Sequence, residues 1–421
     1  MKGLAAPALD RASLRDWYRR NRRRSAELFA TIAPEAFADR PIPLRHPFVF
    51  YEGHLPAFSF LTLCERALGE APLDRDLERL FERGIDPGSL DDAARHARDA
   101  WPSRERIGAF AAACDARVVD ALEHAPIENA SVPRLLRAQA AYTVLEHEPM
   151  HHETLTYIIH QLDPARKHGP RAEHRDAELP AATMRSIGAG IATLGAAPQE
   201  QPFGWDNEFG RHEVPVSAFD AMTYPVTNGD WLAFVHAGGP VPHFWTEREG
   251  EWRLRCVFDE IPLPRSWPVY VTQRQACAYA RWRGLRLPSE AEYHRYTFGT
   301  PSGEERPFPW GDAAAQPEHG NFGFARFDPE PVDAHPRGAS AWGLLDTIGN
   351  GWEWTATPFA PFPGFEPMAS YPQYSADFFE GRHYVMKGAS PVTAVELVRR
   401  SFRNWFYADY PYAYATFRCV A

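Results

Sequence analysis

The stretch Leu145-Glu-His-Glu-Pro-Met-His-His-Glu-Thr-Leu155 decides how the first half of this 421-residue chain is interpreted. Apolar positions recur at helical spacing from Val132 to Leu162, which predicts that the stretch lies on a helix. Side chains four apart on a helix lie one above the other, so His147 and His151 can reach one metal ion. Such a pair also arises on helix surfaces without a metal, so the assignment needs support from the rest of the chain.

His54 is the candidate for a third ligand. It follows an apolar aromatic run that begins at His46, and it starts a further amphipathic segment. Three neutral nitrogen ligands, with no ligating cysteine or carboxylate, would leave a metal with open positions for substrates. The sequence therefore predicts a metal site made by His54, His147 and His151.

The region 1–163 is predicted to be helical. Its periodic apolar segments lie at 14–32, 54–68, 104–122 and 132–162. Four long helices joined by loops predict an antiparallel four-helix bundle. Metal sites in such bundles are built in the core by side chains on facing helices, which suits the three histidines.

The rest of the chain has a different character. The charged segment 164–180 lacks apolar periodicity and is predicted to be a linker. From 181 to 421 aromatic residues, glycine and proline are dense, and only one clear helix is expected, at Thr272–Arg283. The fold class is therefore α+β, with a helical bundle followed by an irregular, strand-containing domain.

Composition excludes several functional classes. The formal net charge of -10 argues against a partner that is nucleic acid or an anionic membrane, and no segment is apolar enough to span a membrane. The N-terminus lacks the apolar core of a secretion signal, so a cytoplasmic location is expected. The five cysteines are odd in number and scattered, which predicts neither a disulfide framework nor a zinc site. They are Cys64, Cys114, Cys256, Cys277 and Cys419.

Five motifs in the second half are specific when taken together. They are Tyr224-Pro-Val-Thr-Asn-Gly229, Gly284-Leu-Arg-Leu-Pro-Ser-Glu-Ala-Glu-Tyr293, Gly349-Asn-Gly-Trp-Glu-Trp-Thr355, Met386-Lys-Gly-Ala-Ser390 and Thr416-Phe-Arg-Cys419. With them this half resembles the formylglycine-generating-enzyme (sulfatase-modifying-factor) fold, a C-type-lectin-like domain. The first half resembles the DinB-like four-helix bundle, whose metal motif His-x3-His-x-Glu is found here as His147, His151 and Glu153.

The two domains in this order resemble the iron-dependent sulfoxide synthases of ergothioneine and ovothiol biosynthesis, together with their relative selenoneine synthase. The segment Phe203-Gly-Trp-Asp-Asn-Glu208 is also typical of that group. The resemblance implies that the three histidines hold Fe(II), that dioxygen is a co-substrate, and that the other partners are small molecules. It also implies that Glu153 bonds a ligand histidine and fixes its tautomer. The oligomeric state is not predicted.

The resemblance implies that hercynine, the betaine of histidine, is the acceptor substrate. In the family an Asn-Trp pair after Phe-Arg binds it, and here the pair is Asn404-Trp405. An indole face attracts a quaternary ammonium group, and the Asn amide can hold the carboxylate or place a water. The alternative role for Trp405 is packing in a domain rich in tryptophan.

Three positions depart from the glutamylcysteine-using members of the family. Their Asp and Arg that grip the donor are replaced here by Phe406 and Tyr410, and their Gln between the motif histidines by Met150. A zwitterionic peptide would leave its charges unpaired against two aromatic rings. These substitutions favour a sugar-borne selenium donor, as in selenoneine synthase, with Met150 tolerating a larger, softer atom.

The family also uses a tyrosine near the metal as a proton source. Tyr371 and Tyr374 fall in the corresponding region, and Tyr374 is the preferred candidate.

Three alternative functions require different sequence features. A formylglycine-generating oxidase needs a redox cysteine shortly before Cys419, and the segment 397–417 contains none. A non-enzymatic, sugar-binding lectin-like module would not explain three histidines in a bundle. The third alternative keeps the chemistry and uses glutamylcysteine or cysteine as the sulfur donor.

Overall fold

The computed structural model describes residues 9–84, 101–170 and 174–421. The chain divides into two compact units. The helical unit contains Met1–His168 together with Ala369–Tyr371, and the second unit contains Gly169–Met368 and Pro372–Ala421. The division after His168 falls inside the segment 164–180 that the sequence predicts to be a linker. In the described part of the chain, no helix has both the length and the apolar character needed to cross a membrane.

Within the described residues, the helical unit contains the four long helices that the sequence predicts and one short helix. The helices are α1 (Arg11–Phe29), α2 (Phe48–Ser59), α3 (Arg75–Phe81), α4 (Arg104–His124) and α5 (Gln139–His160). A π-helical turn, Phe60–Glu65, continues α2. Side-chain caps mark the starts of α1 and α4, where Asp10 accepts from the N–H of Ser13 and Ser103 from that of Arg106.

Two predicted boundaries are wrong. Helix α2 starts at Phe48, before the predicted start at His54, because the preceding aromatic run itself forms the first turns and is buried on all sides. His54 therefore lies in the middle of the helix. Helix α5 starts at Gln139, later than Val132, because Arg137 and Ala138 have φ of 54° and 56° and interrupt the helical backbone.

Helix α5 carries a proline in its interior, and a partner helix compensates for it. Pro149 has no N–H, so it leaves the carbonyl of Leu145 without its helical donor. The buried side chain of Asn21, on α1, fills that position, with Nδ2 donating to the Leu145 oxygen at 2.8 Å. The metal-motif segment thus stays helical across the proline.

The second unit is built on short strands. Its four-stranded sheet has the order β10-β9-β8-β11, in which β11 runs parallel to β8 and the other pairs are antiparallel. These strands are β8 (Gly351–Pro358), β9 (His383–Ala389), β10 (Asn404–Tyr407) and β11 (Ala415–Thr416). The smaller sheets pair β1 (Met184–Ile187) with β4 (Phe219–Met222), β2 (Gly190–Leu194) with β3 (His212–Val216), and β6 (Glu251–Arg255) with β5 (Trp245–Arg248) and β7 (Glu260–Pro262).

The expectation of a single helix in the second unit is wrong. Besides α7 (Gln273–Trp282), the described residues include α6 (Asn228–His236) and α8 (Glu290–Phe298). Both additional helices are nine residues long, too short for a clear apolar period, but each begins with a capping box. The boxes pair Thr227 with Asp230 and Ser289 with Glu292.

Buried ion pairs connect the sequence motifs of the second unit. Arg418, near the C-terminus, contacts Glu353 of strand β8 at 2.6 Å, and both side chains are fully buried. Arg403 contacts Glu290 of helix α8 at 2.9 Å, also out of water. Breaking either pair would leave an uncompensated buried charge. The second pair fixes the start of β10, where Asn404 and Trp405 follow.

Candidate functional site

Helices α2 and α5 bring the three predicted ligand histidines together. One ring nitrogen from each of His54, His147 and His151 lies within 4.8 Å of the other two. The Nε2 atoms of His147 and His151 are 2.9 Å apart. All three imidazoles are buried, so the cluster is not the surface pair that i, i+4 spacing often produces.

The ring of His54 is oriented by the main chain. Its Nδ1 donates to the carbonyl oxygen of Phe81, at the end of α3, over 2.7 Å. That bond puts the hydrogen on Nδ1 and leaves the Nε2 lone pair for a ligand. The Nε2 atom is buried and, among the described residues, has no hydrogen-bond partner. An orphaned buried acceptor beside two further imidazoles fits a first-row metal, for which imidazole is a suitable ligand.

Burial keeps these imidazoles neutral. It lowers the pKa of His54 to about 4. It also lowers the pKa values of His147 and His151 well below the usual range, and the neighbouring imidazoles add to the effect. Neutral imidazole is the form that binds a metal, so the three ligands are ready at physiological pH.

The hydrogen bond that the resemblance implied from Glu153 to a ligand histidine is not found among the described residues. Glu153 is two positions after His151 on α5, and positions two apart on a helix do not face each other. Within the described residues, the Nδ1 atoms of His147 and His151 have no partner, and Nδ1 of His54 is bonded to the Phe81 carbonyl. The orienting contact observed is therefore a backbone carbonyl.

An aromatic ring packs directly against one of the three histidines. Phe58 stacks on His147 with ring centroids 3.5 Å apart. Met150 lies between the two motif histidines on α5 and is half-buried. His152, which the helical geometry places off the ligand face, lies 2.9 Å from the Ser25 hydroxyl and does not join the cluster.

The two candidate tyrosines lie in different units. Tyr371 belongs to the helical unit, where its ring is 5.2 Å from that of Phe58 and 6.3 Å from that of His147. Tyr374 belongs to the second unit and stacks on Trp205 at 3.9 Å. Tyr371 is thus the candidate that the structure brings beside the histidine cluster.

Trp405 lies among aromatic rings in the second unit. Phe359 stacks on it at 4.2 Å, and the ring of Tyr374 meets it edge-on at 5.3 Å. Phe378 packs at 5.7 Å. Trp405 itself stays partly exposed. Such a group of aromatic faces attracts cations, quaternary ammonium groups above all.

Two further predicted binding residues, Asn404 and Phe406, lie on the other face of β10. Because strand side chains alternate, Asn404 and Phe406 point opposite to Trp405. Asn404 Oδ1 accepts from the N–H of Trp405 at 2.8 Å. Phe406 stacks on Tyr410 with centroids 4.7 Å apart and planes 16° apart. The four residues thus form two groups, not one continuous surface.

Sequence reasoning missed the residues that hold this region in place. Glu208 accepts from the Ser401 hydroxyl at 2.6 Å and from Arg399 Nε at 2.8 Å. Asp206 accepts from the Ser375 hydroxyl, next to Tyr374, at 2.6 Å. The motif 203–208 was recognisable, but its role depends on contacts with segments far away in sequence.

Comparison with known proteins identifies both regions. The sulfatase-modifying factor enzyme 1-like domain matches residues 170–421, and the DinB superfamily matches residues 18–155. "Hercynine oxygenase" of Mycolicibacterium thermoresistibile is 33% identical over 402 residues, covering 88% of this chain and 85% of the relative. The protein of the same name from Mycolicibacterium smegmatis is 32% identical over 407 residues, with 88% and 89% coverage.

A fungal relative extends the comparison. "Ergothioneine biosynthesis protein 1" of Schizosaccharomyces pombe is 28% identical over 421 residues, which cover 90% of this chain and 52% of that protein. This chain has a DinB-type helical region followed by a sulfatase-modifying-factor-like domain, and it is similar to the two bacterial proteins over more than four fifths of both lengths, so it belongs to the hercynine oxygenase family of oxygen-dependent enzymes.

Proposed function

We propose that this enzyme uses Fe(II) and dioxygen to join a selenium or sulfur donor to hercynine, at the imidazole carbon between the two nitrogens. The observation that carries the proposal is the convergence of three buried, neutral imidazoles, His54, His147 and His151, in a chain related over most of its length to hercynine oxygenases. A non-enzymatic lectin-like role is not supported, because the full-length relatives are oxygenases.

The histidines would hold the iron by their ring nitrogens, with His54 oriented by the Phe81 carbonyl. Bound Fe(II) would supply a cationic centre for dioxygen and for the thiolate or selenolate of the donor. Because all three ligands are neutral, the site keeps the charge of the ion, which favours the deprotonated donor. Phe58 stacks on His147 and excludes water from one side of that ring.

For hercynine, the aromatic group around Trp405 supplies the binding chemistry. Its trimethylammonium would lie against the faces of Trp405, Tyr374 and Phe378, where a desolvated cation–π contact contributes about 1–2 kcal/mol. Asn404 points to the opposite face of β10, where its Oδ1 accepts from the Trp405 N–H, so its side chain and the Trp405 ring would not both contact one hercynine molecule.

We assign the proton-donor role to Tyr371 and a binding role to Tyr374, which changes the order preferred from the sequence. Tyr371 is the candidate beside His147, whereas Tyr374 packs between Trp205 and Trp405. A phenol near the iron ligands can deliver a proton to a reacting oxygen. A phenol that stacks on Trp205 and meets Trp405 edge-on is better placed to line a binding site.

For the donor, we propose a selenosugar. The stacked rings of Phe406 and Tyr410 form an apolar platform of the kind that packs against a sugar ring. Asp409, next to Tyr410 in the sequence, forms a bidentate ion pair with Arg274 at 2.6 and 2.7 Å, so its charge is already matched. The specific observation in favour of glutamylcysteine or cysteine is the similarity to the named hercynine oxygenases.

The test is anaerobic reconstitution with Fe(II), followed by aerobic incubation with hercynine and one donor at a time. The donors are a selenosugar, glutamylcysteine and cysteine, and the products are read by mass spectrometry. A selenium adduct formed with the selenosugar alone is the expected result. A sulfoxide from glutamylcysteine would reject the selenosugar and keep the hercynine chemistry. No iron- and oxygen-dependent product from any donor would reject the proposed function.

A further inference from the structure

A second cluster of metal-ligating side chains lies wholly within the second unit. His174, Cys256, Asp259 and Asp328 each offer one ligand atom, and the four atoms lie within 4.8 Å of one another. We propose that these residues form a structural site for a divalent metal of the zinc class, separate from the three-histidine cluster.

Two of the ligands come from one hairpin turn. Strand β6 ends at Arg255 and β7 begins at Glu260, so Cys256 and Asp259 lie in the connection between them. The N–H of Cys256 donates to the carbonyl of Asp259 at 2.8 Å, which closes the turn. Zinc sites commonly take a pair of ligands separated by two residues from such a turn.

The other two ligands are also held in place. Asp328 Oδ1 accepts from the N–H of Val257, inside the same turn, at 2.9 Å. His174 Nε2 lies 2.9 and 3.1 Å from the two oxygens of Asp259. The imidazole packs against Trp267 with ring centroids 5.7 Å apart. Three distant segments of the chain therefore converge on one point.

The donor set suits zinc better than calcium or magnesium. Calcium and magnesium prefer oxygen ligands alone, whereas zinc accepts nitrogen, sulfur and carboxylate oxygen in a tetrahedral set. Tetrahedral zinc bonds of about 2.0–2.3 Å would place the ligand atoms roughly 3.3–3.8 Å apart. The four ligand atoms lie within 4.8 Å of one another, so each pair would need to move closer by at most about 1.5 Å, within the reach of side-chain rotation.

The charges also call for a cation. Two carboxylates and a thiol face one imidazole, while Cys256 is 2% exposed and Asp328 is 8% exposed. A divalent ion would add to the partners that the two carboxylates already have, because its charge balances both of them at once. His174 and Asp259 are only half-buried, which gives an ion access from solvent.

Metal binding here would have a structural consequence. It would tie the start of the second unit, at His174, to the β6–β7 turn and to the loop of Asp328. Closing long loops in this way stabilises the folded state, because the unfolded chain cannot assemble the site. The scattered cysteines predicted no zinc site, since three of the ligands are not cysteines and the spacing is set by the fold.

Cobalt substitution distinguishes this site from the three-histidine cluster. A thiolate bound to Co(II) gives a sulfur-to-metal charge-transfer band in the near ultraviolet, and the histidine cluster has no sulfur ligand. We expect the full-length protein to show this band, Cys256→Ser to lose it, and Cys277→Ser to keep it. Cys277 is a matched control, a half-buried cysteine on α7 outside the cluster. Absence of the band in the wild-type protein, or its survival in Cys256→Ser, would overturn the proposal.

A second measurement covers the case in which the buried Cys256 variant does not fold. In a His147→Ala background, we expect about one zinc per chain by elemental analysis. Asp259 is half-buried, and Asp259→Asn keeps the shape of its side chain. This variant should bind zinc about tenfold or more weakly, as measured by chelator competition. If the wild type and Asp259→Asn bind zinc with equal affinity, these side chains only form hydrogen bonds with one another, and the metal site is rejected.

Discussion

At the scale of single residues, two buried histidines on α5 allow a matched test of the proposed iron site. His147 belongs to the three-histidine cluster, whereas His152 is bonded to the Ser25 hydroxyl. We expect His147→Ala to abolish iron binding and turnover, because two ligands cannot hold the ion tightly. His152→Ala should retain iron while losing some stability. Iron per chain by elemental analysis checks both, and a His147→Ala protein that keeps iron would contradict the assignment.

Trp405 tests the hercynine site. Replacing Trp405 with Ala should raise the KM for hercynine by about 5- to 30-fold, the equivalent of about 1–2 kcal/mol of cation–π contact. Trp405→Phe keeps an aromatic face and should lose less. The KM for the donor should change little, because Phe406 points to the other face of β10 and stacks there on Tyr410. An unchanged KM for hercynine in Trp405→Ala would remove this role.

Removing the hydroxyl group should lower kcat at Tyr371 but not at Tyr374. Tyr371→Phe removes only the hydroxyl beside the histidine cluster, and we expect kcat to fall about 100-fold or more, as for the loss of a general acid. Tyr374→Phe keeps the ring stacked on Trp205 and should leave kcat within a few-fold. Steady-state kinetics at saturating substrate checks both variants. The reverse pattern would return the proton-donor role to Tyr374.

At this scale the sequence identified the ligand candidates but not what orients them. Helical spacing alone brings His147 and His151 together, so that pair was predictable. The partner of His54 was not, because the Phe81 carbonyl meets it only through the packing of α3 on α2. The role given to Glu153 failed for the same reason: a motif gives spacing, whereas a hydrogen bond also depends on direction.

At the scale of elements, the contact between α2 and α3 controls the position of His54. Gly53 faces the ring of Phe81 so closely that an added Cβ would lie 2.3 Å from it. We expect Gly53→Ala to displace Phe81 and cost about 1–3 kcal/mol of stability. Iron affinity should fall about 10- to 100-fold, because the carbonyl that orients His54 moves with Phe81.

Gly108 is the control for that change. It lies on α4, with nothing within 4 Å of an added Cβ. Gly108→Ala should therefore stabilise the protein by about 0.5–1 kcal/mol through helix propensity, with iron affinity unchanged. Thermal unfolding and iron titration measure both variants. Equal iron affinity in Gly53→Ala and wild type would show that α3 does not control the position of His54.

The boundaries of elements were harder to predict than their existence. The long helices of the first unit followed from periodicity, but α6 and α8 were missed because nine residues carry too few apolar repeats. Their capping boxes, such as Ser289 with Glu292, were the available signal. Apolar spacing predicted the helix across Pro149, whereas the contact from Asn21 that compensates for the proline depends on the packed structure.

At the scale of the whole molecule, the motifs of the second unit were recognisable before their physical role was known. Arg418 and Glu353 stand in separate motifs and meet as a buried ion pair. The assignment of Ala369–Tyr371 to the helical unit was not predictable. It rests on contacts such as the N–H of Ser370 donating to Gln139 Oε1 at 3.0 Å, which sequence spacing does not encode.

The stability of the molecule should depend on pH through Asp346. Burial raises the pKa of this carboxyl from 3.8 to about 7, against the smaller effects of Asn350, His335 and Arg418. The folded state therefore keeps a proton that the unfolded state has lost. The free energy of unfolding should fall as pH rises from about 4 to about 7, and level off above that.

Asp346→Asn removes this titration without changing the shape of the side chain. The residue has φ of 51°, which asparagine tolerates, and an amide oxygen can still accept from Asn350 Nδ2, now at 2.8 Å from Asp346 Oδ2. The free energy of unfolding of the variant should therefore rise relative to that of the wild type, by about 2–4 kcal/mol between pH ~4 and pH ~7. Urea unfolding at several pH values measures the difference. A difference that stays constant with pH would show that Asp346 is ionised in the folded protein, its charge neutralised by the neighbouring Arg418 and His335.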